Sequence, residues 1–77
     1  SSFFSQHKIS LREAQVIALM MQGDSSEAIS EKLFISVHTV NTHKRNIYQK
    51  FSVPNERELI KLVQSGYKIE HTIDTKN

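Results

Sequence analysis

The chain contains no cysteine, and only one proline and two glycines interrupt its 77 residues. Without cysteine, neither a disulfide framework nor a thiolate metal site can hold the fold, so stability has to come from packing. This suits a reducing cytoplasm, the expected location. The apolar runs are only a few residues long, too short to span a bilayer, and no membrane partner is expected. The start, Ser1-Ser2-Phe3-Phe4-Ser5, lacks the basic region, apolar segment and cleavage site of a secretory signal. Because the first residue is Ser1 and not methionine, residues 1–8 are read as a linker or tag remnant of a longer protein. The β-branched residues do not alternate, so strands have little support, and an all-α fold is expected.

What the chain does have is a set of helix-start signals. Ser10-Leu11-Arg12-Glu13 is a capping box, in which the serine oxygen accepts from the third helical amide and the glutamate reaches back to the cap. A first helix is predicted over residues 11–22, with Leu11, Ala14, Val16, Ile17, Ala18, Leu19, Met20 and Met21 giving a wide buried face and Gly23 stopping it. A short second helix is predicted over 26–34. Either Asp24, paired with Glu27, or Ser25 could cap it. Ser36 caps a third helix over 37–51 after a tight turn centred on Ile35, and Asn55 with Glu58 starts a fourth over 55–66, just after Pro54. Residues 9–67 thus form one domain, and 68–77 read as a polar, loosely attached tail. A short helix, a tight turn and a longer helix make a helix-turn-helix.

The formal net charge of +2 is modest, and its distribution says more than its sum. No acidic residue occurs between Glu31 and Glu56, whereas Lys32, Lys44, Arg45 and Lys50 fall there with His38 and His43. At about 100° per residue, Val37, Val40, Ile47 and Phe51 share the core side of the third helix. His38, Asn41, Thr42, Arg45 and Gln49 fall on the opposite arc. Asparagine and arginine can pair their hydrogen bonds with adenine and guanine edges, and a threonine methyl can pack on thymine. Thr39, His43 and Lys50 lie on one flank, where a helix in the groove passes a phosphate strand. Lys44 sits nearer the core edge and is expected to snorkel outward. In the fourth helix, Leu59, Ile60, Leu62 and Val63 form a band too broad for one small core, so part of it is expected to face a second copy.

Catalysis has little to stand on. His38 and His43 are about 140° apart on a helix and do not share a face as metal ligands would. His7 and His71 have no ligand pattern around them. Ser10, Ser25 and Ser36 are explained as caps, and no glycine-rich phosphate loop is present. No cofactor and no metal are expected.

Ile9-Ser10-Leu11-Arg12-Glu13, Gly23, Ile29, Leu33, the run from Ile35 to His43 and the run from Ile47 to Phe51 together resemble the LuxR-type, or GerE, helix-turn-helix family. The resemblance covers roughly Ile9 to Gly66 and is most specific from Ser36 to Lys50. It implies a four-helix DNA-binding domain, usually the output domain of a response regulator or signal-binding activator, whose third helix enters the major groove. By that resemblance Asn41, Thr42 and Arg45 read bases, and Thr39, His43 and Lys50 take phosphate or groove-flank positions. Helix four is the usual dimer contact of the family, which points to Leu59 and Val63 here. Double-stranded DNA is the implied partner, with RNA polymerase a further one for a full-length regulator. The chain departs from the family's usual pattern at Ala28, Ser30, Phe51 and Glu56, where Glu, Ala, Leu and Arg are common. Two other readings compete: a promoter reader like region four of bacterial sigma factors, and a helix-turn-helix scaffold kept only for protein interaction.

Overall fold

The computed structural model describes the backbone of residues 6–76 and the side chains of residues 6–66. Its helices are α1 (Leu11–Met21), α2 (Ser26–Leu33), α3 (Val37–Phe51) and α4 (Glu56–Lys76). Each start follows from a side chain that satisfies an otherwise orphaned amide. Ser10 Oγ accepts from the Glu13 amide at 3.1 Å while Glu13 Oε1 accepts from the Ser10 amide at 2.9 Å. Ser36 Oγ accepts from the Thr39 amide at 3.0 Å, and Asn55 Oδ1 from that of Glu58 at 3.0 Å. At α2, Ser25 is the cap, accepting from the Ala28 amide at 3.1 Å. Asp24 turns instead to Lys32, 2.7 Å away in the last turn of α2.

Left-handed residues end the first three helices. Gly23 has φ +90°, and the Gly23 and Asp24 amides donate back to Met20 and Leu19 carbonyls at 2.9 and 3.1 Å, the paired closure of a Schellman motif. Phe34 and Ser52 hold the same place at φ 59° and 56°, and the amides that follow, Ile35 and Val53, donate to Ser30 and Tyr48 carbonyls at 3.0 Å each. Phe34 is 93% exposed, so its side chain gains nothing from burial while its backbone bears left-handed strain. Phe34→Gly is therefore expected to raise stability by about 0.5–1 kcal/mol, read as a higher urea midpoint. A lower midpoint would mean that the ring makes a contact the fold depends on.

α4 differs from its predicted end. It runs through Lys76, not to Gly66, so most of the stretch expected to be a tail continues the helix; Asn77 lies outside the described residues. A glycine ends a helix when it turns left-handed, and Gly23 is the one described glycine with positive φ. Inside a helix, glycine costs only about 1 kcal/mol relative to alanine. Residues 1–5 of the expected linker also lie outside the described residues, whereas His7 and Lys8 lie against α3: the His7 ring sits 4.4 Å from that of Phe51.

One apolar cluster joins the four helices: Val16, Ile17 and Met20 from α1, Ile29 from α2, Val40, Ile47 and Phe51 from α3, and Leu59 from α4. α3 packs against each of the other three, so its inner face is fixed and its outer face is left to solvent. The buried face of α1 is narrower than predicted, since Leu11 and Met21 are exposed.

Candidate nucleic-acid interface

Burial of Val40, Ile47 and Phe51 sets the rotation of α3 and turns His38, Asn41, Arg45, Asn46 and Gln49 to the exterior. Thr39, Thr42 and His43 are half-buried. Asn41 and Thr42 are adjacent and Arg45 follows within one turn, where its guanidinium donates to Thr42 Oγ1 at 3.4 Å. Asn46, one turn beyond Thr42, is exposed and has an amide able to read base edges. The helical wheel carries that signal too, although the sequence reading did not single the residue out.

The arc is braced from below. Ser26, the first residue of α2, donates from Oγ to Asn41 Oδ1 at 2.9 Å, which ties the two helices of the helix-turn-helix at the exposed surface. Thr39 Oγ1 lies 2.9 Å from Ser36 Oγ, so this flank residue is held at the α3 cap. Lys44 does not snorkel into open solvent: its side chain is 13% exposed, and its ammonium pairs at 3.4 Å with Glu56. The residue that departs from the family's usual arginine thus serves as the partner of Lys44. The same carboxylate, with burial as the larger cause, pushes the Tyr48 hydroxyl pKa up.

Two expected site residues are placed otherwise. Lys50, expected at a phosphate, turns back toward α1: its ammonium lies 2.7 Å from Glu13 Oε1 and donates to the Lys8 carbonyl at 3.1 Å. The Glu13 side chain is only 6% exposed, and a buried carboxylate needs a cation more than a solvated phosphate strand does. Burial pushes the Glu13 carboxyl up, but hydrogen bonds from Lys50 and Ser10 and the charge of Lys50 outweigh it and hold the pKa below its ordinary value. Leu59, expected at a dimer contact, is fully buried in the core and offers no surface to a second copy. Val63 is half-buried at the core margin.

Residues 7–63 match the family described as bacterial regulatory proteins, luxR family. The chain belongs to this family. It is accordingly a helix-turn-helix DNA-binding domain of the kind found in bacterial transcriptional regulators. Over 52 residues it is 40% identical to the oxygen regulatory protein NreC of Staphylococcus carnosus, covering 68% of this chain and 24% of that protein. Over 49 residues it is 43% identical to the HTH-type transcriptional regulator MalT of Vibrio campbellii, covering 64% of this chain and 5% of that one. The matched region is thus a quarter or less of either relative's length. Among the described residues no helix is long and apolar enough to cross a membrane, and no group of three or more His, Asp or Glu could hold a metal ion.

Proposed function

We propose that this luxR-family domain reads double-stranded DNA by laying α3 in the major groove, as the cytoplasmic output module of a larger transcriptional regulator. Asn41, Thr42 and Arg45 face the base edges, while Thr39 and His43 pass a phosphate strand. The observation that carries this reading is the exposed arc of α3, which bears amide, hydroxyl and guanidinium groups over a helix locked into the core on its other side. The chain supplies no acid between Glu31 and Glu56 to repel phosphate there. Fifteen residues make a rod of about 22 Å, long enough to cross a groove about 12 Å wide. Two copies meet through α4, with Val63 at the contact, and their two-fold axis matches that of a pair of half-sites. In the full-length regulator, RNA polymerase is a further partner.

Arg45→Ala tests the assignment. It is expected to weaken binding to the preferred duplex by about 1–3 kcal/mol and to relax preference at one base pair, measured by titrating duplexes that differ at single positions. Retention of both affinity and sequence choice would remove Arg45 from the bases.

A further inference from the structure

The Ser26–Asn41 hydrogen bond joins the first residue of α2 to a residue on the outer arc of α3. It connects positions 15 apart in sequence and does so at the surface, where neither group needs a protein partner to avoid a desolvation cost. Its consequence is directional. The hydroxyl donates to Oδ1, so the carbonyl edge of the Asn41 amide faces α2. The Nδ2 group, which has no hydrogen-bond partner among the described residues, is left as the edge presented outward. A paired contact to adenine needs both edges, with Oδ1 accepting from the exocyclic amine while Nδ2 donates to N7; guanine offers two acceptors, N7 and O6, in the major groove.

We infer that Ser26 is a specificity-determining positioning residue: by directing Oδ1 toward α2 it leaves Nδ2 as the leading edge of Asn41, which favours guanine over adenine at the base pair beneath it. This rests on the reading that α3 lies in the major groove. Ser26 itself touches no base and acts through the amide it orients.

The test uses the whole chain and duplexes differing only at the base pair whose preference Asn41→Ala erases. The unsubstituted protein is expected to prefer guanine there. Ser26→Ala is expected to swing the guanine-to-adenine ratio toward adenine by about fivefold or more, at that base pair alone, and Ser26→Thr, which keeps the hydroxyl, to restore it. An unchanged ratio in Ser26→Ala, or a uniform affinity loss across all sequences, would overturn the positioning role and leave Asn41 as a base reader. An adenine preference already present in the unsubstituted protein would overturn the assignment of Nδ2 as the leading edge. If Asn41→Ala erases no preference at any base pair while binding stays sequence-specific, Asn41 is not a reader and the inference falls with it.

Discussion

Leu59→Ala is expected to lower the stability of the domain by about 2–5 kcal/mol, the cost of removing a buried leucine and leaving the cavity behind. Leu59 has 0% exposure and belongs to the cluster with Val16, Ile17, Met20, Ile29, Val40, Ile47 and Phe51. A domain of 77 residues has a total stability of only about 4–11 kcal/mol, so this one substitution takes a large share of it. Urea unfolding at two protein concentrations separates the two roles the residue could play. A midpoint that drops equally at both concentrations places Leu59 in the core. An unchanged midpoint at high concentration, with loss confined to dilute protein, would return it to an interface between copies.

Lys50→Met is expected to cost about 2–3 kcal/mol of stability near neutral pH. Removing one member of a buried ion pair commonly costs about 3–5 kcal/mol, and the figure is reduced here because the Lys50 side chain is 35% exposed while that of Glu13 is 6% exposed. The pH dependence follows from the lowered pKa of Glu13, which lies below the ordinary carboxyl value of 4.5. The unfolded chain takes up the proton first as pH falls, so the stabilisation is complete above that ordinary value and is lost as pH drops through the lowered one. Without Lys50, only the Ser10 hydrogen bonds are left to oppose burial, so the charged carboxyl is less stabilised and the deficit relative to the unsubstituted protein is largest near neutrality and shrinks in acid. Urea midpoints at about pH 7 and about pH 3.5 measure this. An equal deficit at both would detach the effect from Glu13, and a full midpoint with a reduced salt dependence of DNA binding would return Lys50 to the phosphates.

These two residues also mark where sequence reasoning stops. The caps Ser10, Ser36 and Asn55 were legible because each acts on an amide only three residues away. Asp24 and Ser25 stayed open because the deciding partner of Asp24 is Lys32, eight residues on and on the far turn of the helix. The Glu13–Lys50 pair spans 37 residues, and nothing local in either segment announces it; on a helical wheel Lys50 sits on the same flank as Thr39 and His43, and only the packing of α1 separates their roles. The apolar band of α4 was visible, but which members turn inward depends on how α4 meets α3. Glycine often ends a helix, but a stop at Gly66 requires a left-handed backbone, which residue type permits without imposing. The outer arc of α3 was legible because helical periodicity alone sorts Asn41, Thr42 and Arg45 away from Val40, Ile47 and Phe51. The brace from Ser26 was not, since it joins two helices whose crossing the pattern does not define.

Reading of sequence by α3 in the major groove is tested most directly by selection from a pool of randomised duplexes at moderate salt. The bound fraction is recovered and sequenced. Enrichment of a two-fold symmetric motif, with its preference at one base pair lost in Arg45→Ala, is the expected result. Recovery of bound duplexes with no enriched sequence would contradict base reading by α3 and leave a domain that holds only the phosphate backbone.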